Sequence, residues 1–225
     1  MNDDRKTIGP AEVAGELLED WRYMLGALHA RFATGDFATG LRLVQSIAAA
    51  AEEADHHPDV DLRYPYVGVR LSSHDVGGVT MRDVRLAREI SRLADGVAEA
   101  RPGALRPVEL ALDTPDHTEV APFWAAVLGR EVRDDDLSPG DDGLGVWFQQ
   151  APEARGEVQQ RWHLDVYAAP EVAEQRVQEA LAAGGTLVSD DRAPSFWVLA
   201  DAHGNQACVC TVIGTTEQVP VGDDA

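Results

Sequence analysis

Cysteine is almost absent from this chain, which contains two cysteines among 225 residues. Cys208 and Cys210 are separated by one position, so on a strand their side chains would share one face and pair poorly as a disulfide. We therefore expect two reduced thiols, which are typical of a cytoplasmic protein.

Positive charge is also scarce, because 19 lysines and arginines stand against 39 aspartates and glutamates, a formal net charge of −20. An acidic surface repels phosphate backbones and anionic lipids, so we expect neither nucleic acid nor a membrane as a partner. No apolar run approaches the roughly 20 residues that cross a bilayer. The first residues, MNDDRKTIGP, lack the apolar stretch of a secretory signal. The hydrophobic content of 44% is ordinary, so a packed core is available.

The segment from Asp55 to Asp83 concentrates the residues that carry chemistry. It contains the adjacent pair His56 and His57 and, further along, a third histidine, His74. Histidine is the side chain whose ordinary pKa lets it give and take protons near neutral pH. This segment is therefore the first candidate for a site of proton transfer.

The pattern within this segment predicts a hairpin followed by a helix. Val67, Val69 and Leu71 alternate with small or polar residues, which indicates a half-buried strand. Thr80, with Asp83 three residues later, is typical of a helix start. The first two histidines precede one extended segment and the third ends the next. If the two segments pair as a hairpin, the three imidazoles can converge near one end of a small sheet.

Over roughly residues 10–96 the chain resembles the pterin-4a-carbinolamine dehydratase family. The residues that carry the resemblance are Glu52, Asp55, His56, His57, Pro58, Tyr64, Ser73, His74, Gly78, Thr80 and Asp83, preceded by Trp21, Phe32 and Phe37. One departure is Val60, which stands where the family usually has a tryptophan.

The resemblance implies a lyase that dehydrates 4a-hydroxytetrahydrobiopterin, a small pterin, to the quinonoid dihydropterin with no cofactor. The carbinolamine loses hydroxide from one carbon and a proton from the adjacent nitrogen, so the reaction needs an acid and a base. The resemblance implies His56 and His74 as this pair, with His57 holding the pterin. It also implies that Glu52 or Asp83 tunes an imidazole, because a nearby carboxylate favours the charged ring. The helical pattern lets Glu52 point towards His56.

Seven residues form the candidate substrate-binding set: Asp55, His56, His57, Ser72, Ser73, His74 and Asp75. The acids Asp55 and Asp75 are equally consistent with solvated charge, and Ser72 and Ser73 with an ordinary strand-end turn. Asp83 would stabilise a helix N-terminus whatever the function. The family is commonly dimeric or tetrameric, which implies a homo-oligomer. It also supplies dimerisation partners, so a non-catalytic pterin-binding or dimerisation scaffold is the alternative.

Helices and strands around this segment complete a small domain. Pro10 is typical of a first helical turn, and residues 21–32 predict one or two strands. Asp36 is expected to cap a helix with the apolar stripe Phe37, Leu41, Val44, Ala48 and Ala51. The helix after Thr80 carries the stripe Val84, Ala87, Ile90, Ala94 and Val97. Two helices against a hairpin-based sheet predict the α+β class.

The second half of the chain contains an internal repeat. A strand over Val108–Leu112 leads to a helix over about residues 116–128 that stops at Gly129. A strand over Trp162–Tyr167 leads to a second helix that stops at Gly184, and glycine is the usual left-handed cap. The equal spacing of these features predicts a duplicated βαβββ module.

The repeat resembles the glyoxalase-like branch of the vicinal oxygen chelate superfamily over roughly residues 106–214. The matching residues are Phe123, Trp124, Leu128, Gly129, Phe148, Gln149, His163, Leu164, Asp165, Asp201, Gly204 and Asn205. The resemblance implies a cup-shaped sheet, in which the superfamily often holds a divalent metal on the first and last strands of each module. Glu109 and His163 fall at first-strand positions, and Cys208 replaces the usual last-strand glutamate.

Only two of these positions carry strong metal ligands, so the sequence predicts a pocket without a tightly held metal. The pocket residues are Glu109, His163 and Cys208, and the expected ligand is a second small organic molecule. The apolar wall is predicted from Phe148, Trp162 and Trp197. A metal-dependent lyase, isomerase or dioxygenase in this half of the chain is the alternative.

The expected architecture is α+β, with an antiparallel-sheet-plus-helices dehydratase domain followed by a duplicated βαβββ glyoxalase-like domain. The first domain is predicted over residues 1–97, a linker over 98–106, the second domain over 107–214 and an acidic tail over 215–225. Pro102 and Gly103 punctuate the linker.

Overall fold

The structure is a computed structural model that describes residues 4–118, 121, 125, 131–137, 144–151, 162–182, 184–200 and 206–213. The chain divides into two compact units, of which the second spans Arg106–Thr211 and the first contains Met1–Leu105 and the segment from Val212 onwards. Among the described residues, no helix has the length and apolar character needed to cross a membrane.

The first unit is an antiparallel sheet with helices. Its strands are β1 (Trp21–Met24), β2 (Ala27–Ala33), β3 (Asp59–Arg63), β4 (Tyr66–Leu71) and β5 (Glu99–Ala100). The strand order is β1-β2-β4-β3, and β5 pairs with β2. Its helices are α1 (Pro10–Gly15), α2 (Phe37–Ala54) and α3 (Met81–Ala94), followed by a 3-10 turn over Pro102–Ala104. The predicted α+β class is confirmed for this unit.

The core of the first unit lies on one face of this sheet. Val67, Val69 and Leu71 of β4 are buried, which confirms the predicted alternation, and Phe32 of β2 is fully buried with them. The predicted helix starts are also confirmed. Pro10 begins α1, Asp36 accepts a hydrogen bond from the Thr39 N–H, and Thr80 forms a capping box with Asp83.

The predicted buried stripe of α2 is largely wrong. The buried residues of the helix are Gly40, Leu43, Ile47 and Ala51. Of the predicted set, Phe37 and Leu41 are 49% and 44% exposed, and Ala48 is exposed as well. A Cβ on Gly40 would come 2.7 Å from Leu62 Cδ1, so the glycine lets the β3–β4 hairpin approach this side of the helix. The face that turns inward carries Leu43 and Ile47, which the predicted stripe omitted.

The predicted buried stripe of α3 is confirmed at four of its five residues. Val84, Ala87, Ile90 and Ala94 are buried, as predicted. The helix ends at Ala94, however, so Val97 lies beyond it and is 46% exposed.

The first unit continues past residue 97. β5 pairs with the end of β2, and the Arg101 N–H donates a hydrogen bond of 2.7 Å to the Arg31 carbonyl. Leu105 is buried. The segment from 98 to 105 is therefore folded with the first unit, whereas the sequence suggested a linker there.

The second unit is an eight-stranded sheet with the order β11-β12-β13-β10-β6-β9-β8-β7. Its strands are β6 (Val108–Thr114), β7 (Val132–Arg133), β8 (Asp136–Leu137), β9 (Gly145–Gln150), β10 (Trp162–Tyr167), β11 (Thr186–Ser189), β12 (Phe196–Ala200) and β13 (Gln206–Cys210), and its helix α4 spans Pro170–Ala182. The first strands β6 and β10 pair antiparallel at the centre, and each is flanked in parallel by the last strand of its own module. This arrangement confirms the duplicated βαβββ module.

Each module was predicted to end its helix at a glycine, and the structure describes only the second of these two glycines. Gly184 follows α4 with φ of +99°, the left-handed conformation that was predicted for it. Gly129 and much of the helix predicted over residues 116–128 lie outside the described residues, as do Gly204, Asn205 and the tail over 215–225.

The two faces of the second sheet differ in chemistry. The face covered by helices buries two apolar clusters, of which the first contains Leu112, Val146 and Phe148 with Ala121 and Ala125, and the second Trp197, Leu199 and Val209 with Ala173 and Val177. The other side, here called the polar face, carries Glu109, His163, Asp165 and Cys208, because these residues are in register across β6, β10 and β13.

The predicted apolar wall of the pocket is therefore wrong. Phe148 and Trp197 are buried in the helix-side clusters, and Trp162 packs against the first of them. Strand alternation explains the error, because neighbouring residues on a strand point to opposite faces of the sheet. Trp162 is next to His163, Trp197 is paired with Val209 next to Cys208, and Phe148 is paired with Leu112, three positions from Glu109.

Candidate active site and a second polar cluster

His56 forms a buried pair with Asp83. Helix α2 ends at Ala54 and is capped by Asp55, whose left-handed backbone (φ +47°) turns the chain towards the two histidines and β3. The His56 Nε2 lies 2.7 Å from the Asp83 Oδ1. Asp83 is fully buried and shielded from water, whereas the His56 side chain keeps 9% of its exposure.

The second oxygen of Asp83 is also occupied. The Ser73 hydroxyl and the Thr80 N–H each donate to the Asp83 Oδ2 at 2.7 Å, and the Thr80 hydroxyl donates at 3.2 Å. Burial by itself would raise the pKa of Asp83, but the hydrogen bonds from His56, the Thr80 N–H and Ser73 outweigh it and lower the pKa below 3.8. Asp83 is therefore an ionised carboxylate that fixes the orientation of the His56 ring.

His57 forms a second pair, which is exposed. Its Nε2 lies 3.1 Å from the Glu52 Oε1, and the two side chains are 57% and 79% exposed. The expectation that Glu52 points towards His56 is wrong. Glu52 lies on the last turn of α2, and the left-handed Asp55 brings His57 beside it while His56 turns inward to Asp83.

His74 lies in the exposed turn between β4 and α3. The Ser73 N–H donates to the Gly78 carbonyl at 2.8 Å and closes this turn. β3 and β4 pair antiparallel with Asp59 opposite Arg70, so the start of β3 and the end of β4 lie at the same end of the hairpin. The predicted hairpin therefore forms. His56 and His57 precede its first strand and His74 follows its second strand, so all three lie near the same end of the hairpin.

The flanking candidates mostly contact the protein itself. Asp75 receives a hydrogen bond of 2.5 Å from Arg82, which lowers the pKa of its carboxyl, and Arg5 lies 3.5 Å away. The hydroxyl of Ser73 is used by Asp83, and Ser72 is buried. The sequence analysis did not predict that Arg82 would pair with Asp75. The position of Arg82 in the first turn of α3, directly before Asp83, places it near the turn that contains Asp75.

The polar face of the second unit brings together three other residues. His163 and Asp165 are two positions apart on β10, and Asp165 is paired with Cys208 on β13 and with Glu109 on β6. The ligand atoms of His163, Asp165 and Cys208 all lie within 4.8 Å of one another. The His163 ring also lies between two acids, with Nε2 3.5 Å from Asp165 and Nδ1 3.4 Å from Asp113.

The electrostatics of this cluster reflect crowded acidic groups. Burial raises the pKa of Glu109 to about 7, aided by the negative charges of Asp165 and Asp136. A hydrogen bond with Asp165 raises the pKa of His163 in spite of its burial. A hydrogen bond with Cys210 lowers the pKa of the Cys208 thiol.

Of the predicted pocket residues, His163 and Cys208 meet in this group, and Glu109 is the cross-strand neighbour of Asp165. A Cβ on Gly145 would come 2.5 Å from the Glu109 Oε1, so the glycine leaves room for that carboxylate. Sequence reasoning missed Asp165, although strand alternation puts it on the face of His163. It also missed Trp147, whose ring packs edge-on against His163 with centroids 6.3 Å apart.

Comparison with known proteins identifies both halves of the chain. Residues 6–93 match the family model for pterin 4 alpha carbinolamine dehydratase. The chain is 37% identical over 89 residues to a protein of Thermosynechococcus vestitus, which covers 94% of that protein and 39% of this chain. It is 41% identical over 76 residues to a protein of Mycolicibacterium smegmatis, covering 81% of that protein and 34% of this chain. Both relatives bear the name "Putative pterin-4-alpha-carbinolamine dehydratase".

The chain belongs to the pterin-4a-carbinolamine dehydratase family. A solved transcriptional coactivator/pterin dehydratase from Brucella melitensis is 30% identical, with a TM-score of 0.38, and the match covers 40% of this chain and 99% of that one. Residues 109–210 match the model for a glyoxalase-like domain. The chain is therefore a fusion of a dehydratase-family unit with a glyoxalase-like unit, as the two resemblances predicted.

Proposed function

We propose that the dehydratase unit converts 4a-hydroxytetrahydrobiopterin to quinonoid dihydropterin and water by acid-base catalysis. In this reaction the C4a–oxygen bond breaks, the departing oxygen takes a proton, and the adjacent ring nitrogen loses one. The observation that carries the proposal is the buried His56–Asp83 pair at the same end of the hairpin as His57 and His74.

The first support is the state of His56. A carboxylate whose oxygens all accept hydrogen bonds is a fixed negative charge, and it holds the ring in one orientation. The contact engages Nε2, so Nδ1 is the nitrogen of His56 that remains to exchange a proton with substrate. Orientation of a catalytic imidazole by a carboxylate on its far nitrogen is a general device in proton transfer.

The second support is the exposure of the other two histidines. His57 and His74 lie at the surface, where a small pterin can reach them. We assign His74 as the partner of His56 in proton transfer and His57, with Glu52 beside it, as a contact for the pterin. Two positioned groups of this kind typically contribute about 100- to 10,000-fold each.

The test is an absorbance assay for quinonoid dihydropterin with the full chain and freshly generated carbinolamine. His74→Ala and His56→Ala are each expected to lower the enzyme-dependent rate at least ~100-fold, the low end for a lost acid-base group. His117→Ala, in the glyoxalase-like unit, is the matched control and is expected to keep the rate.

Two results would contradict the proposal. A folded His74→Ala variant with wild-type turnover would remove the assignment of that residue. A wild-type chain that binds a pterin without accelerating dehydration would reject the enzymatic function and support the scaffold alternative.

A further inference from the structure

The turn that carries His74 is tied to the first turn of α3 by an ion pair. The Arg82 guanidinium donates to the Asp75 Oδ1 at 2.5 Å, and its Nε donates to the Thr80 Oγ1 at 3.4 Å. We propose that Asp75 is a positioning residue, which fixes the place of the neighbouring His74 through Arg82 and is not a contact for the pterin. This inference rests on the function proposed for the first unit, because it assigns a role within the same site.

The contact with Asp75 explains why an arginine is found at position 82. Arg82 lies in the first turn of α3, and the dipole of a helix disfavours a cation near its N-terminus. Its side chain is also only 24% exposed, whereas those of Arg85 and Arg88 on the same helix are 48% and 50% exposed. The helix dipole therefore gives Arg82 no stabilisation, and its hydrogen bonds to the preceding turn do.

The segment before α1 holds the other side of the same turn. The Ile8 N–H donates to the Val79 carbonyl at 2.7 Å, and the Ile8 side chain is buried in the core. Arg5 lies 3.5 Å from the Asp75 Oδ2, so each oxygen of Asp75 faces an arginine. Because Arg5 is 78% exposed and Arg82 is 24% exposed, Arg82 is the stronger partner. The Asp75 carboxylate is thus engaged by two segments of its own chain, which favours a positioning role over binding of the pterin.

The ring of His74 depends on this turn for its position. Within the part of the chain that the structure describes, no hydrogen bond or ion pair involves the His74 side chain. The backbone of the turn is closed by the N–H groups of Val76 and Gly77, which donate to the Ser73 carbonyl at 3.1 and 3.0 Å. A reacting group displaced by about 1 Å can lose about 100-fold in rate, so a loosened turn is expected to slow the reaction.

The experiment is a double-mutant cycle on the full chain, followed by the absorbance assay for quinonoid dihydropterin. Asp75→Asn and Arg82→Gln are each expected to lower kcat about 10-fold, less than the loss for a displacement of about 1 Å, with little change in KM. The double variant is expected to be no slower than either single variant, because all three lack the same contact. A pterin contact would instead raise KM in Asp75→Asn and leave Arg82→Gln near the wild-type rate.

Hydrogen exchange gives a second readout that does not depend on catalysis. The amides of Val76 and Gly77 are expected to exchange about 5-fold faster in both single variants, as for one lost hydrogen bond, while protection of β2 and β4 is unchanged. Arg88→Gln is the matched control, since Arg88 also joins α3 to a carboxylate outside the helix, that of Glu16, at 2.6 Å. It is expected to change neither kcat nor the exchange of the turn.

Four results would overturn the proposal. They are wild-type kcat in either single variant, additive effects on kcat in the cycle, a raised KM in Asp75→Asn alone, and unchanged exchange at Val76 and Gly77. If the wild-type chain does not accelerate dehydration, the function proposed for the first unit fails, and the exchange data still decide whether Asp75 and Arg82 hold the turn.

Discussion

Asp83 and Asp165 are both buried carboxylates beside an imidazole, yet their surroundings are opposite. Asp83 accepts hydrogen bonds at both oxygens, from His56, Ser73 and the Thr80 backbone. Asp165 instead has an acid, Glu109, on one neighbouring strand and a thiol, Cys208, on the other. The first carboxylate is satisfied by hydrogen bonds within its own protein, whereas the second lies among acidic groups, whose charges raise the pKa of Glu109.

The difference teaches what each carboxylate can do. A fully bonded carboxylate in a closed pocket is a fixed structural charge, suited to orienting a ring for proton transfer. A carboxylate among other acids instead affects their protonation, since burial and the charges of Asp165 and Asp136 raise the pKa of Glu109 to about 7. The same pair of residue types thus stands in two different electrostatic environments, and the partners of the carboxylate decide which one it has.

The largest expected effect is on the stability of the first unit. Asp83→Asn is predicted to destabilise it by about 3–5 kcal/mol, the range for removing one member of a buried charged pair. The reason is that an amide has only one accepting oxygen and no charge, so it cannot accept from His56 on one side and from Thr80 and Ser73 on the other, as the Asp83 carboxylate does. Loss of hydrogen-exchange protection in peptides of β2 and β4 measures this effect.

The matched change in the second unit is Asp165→Asn. The change relieves repulsion in an acidic cluster but weakens the hydrogen bond to His163, so we expect a loss of no more than about 1.5 kcal/mol, the usual upper value for one hydrogen bond. Protection in peptides of β10 and β13 reports it. Equal losses in the two variants would erase the distinction between the two carboxylates.

The stabilising contribution of the Asp83 carboxylate is expected to depend on pH. The pKa of Asp83 is lower in the folded state than its ordinary 3.8, so its contribution is fully present above 3.8 and is lost as the pH falls through the folded pKa. The stability gap between wild type and Asp83→Asn is therefore expected to narrow below pH 3.8. Urea titrations at several pH values, followed by methyl NMR signals of Leu28 and Ile90, test this. A gap that stays constant into acid would contradict it.

A smaller effect concerns the end of the first unit, which we propose to be an independent domain. A fragment ending at Leu105 is expected to fold alone and to keep dehydratase activity. A fragment ending at Val97 lacks β5 and the Arg101–Arg31 hydrogen bond, so it is expected to be less stable by about 2 kcal/mol, at about 1 kcal/mol for each lost hydrogen bond. Urea unfolding of the two fragments compares them. A longer fragment that is unfolded by itself would show that the unit depends on the rest of the chain.

Much of the fold could be predicted because local signals agreed with tertiary packing. The Val67–Leu71 alternation, the caps at Asp36 and Thr80 and the Gly184 stop each rest on neighbouring residues, and the structure bears them out. The stripe of α2 was predicted wrongly because the helix carries two sets of small or apolar residues at helical spacing. The buried set contains Leu43 and Ile47, and Gly40 on the same side lies close to Leu62 of the distant strand β3.

The sites show the same limit. The resemblance named Glu52 and Asp83 as carboxylates beside the histidines, but the sequence did not show which histidine each one meets. The partner of His56 is 27 positions away, and the partner of His57 is set by a left-handed turn at Asp55. In the second unit the position of Asp165 beside His163 was visible in the sequence. Its grouping with Cys208 was not, since that depends on the register between two strands.

The smallest expected effect concerns the exposed pair, and it sharpens the contrast with the buried one. Glu52→Gln removes the charge next to His57, but both side chains are more than half exposed, so water can replace the contact. We expect no resolvable loss of protection in β2 and β4 in the assay that detects Asp83→Asn. A loss comparable with that of Asp83→Asn would mean that the His57–Glu52 pair is covered in solution, for which a second copy of the chain is the first explanation to test by sedimentation. The exposure of the pair, and with it the access of a pterin to His57, would then have to be reconsidered in that assembly.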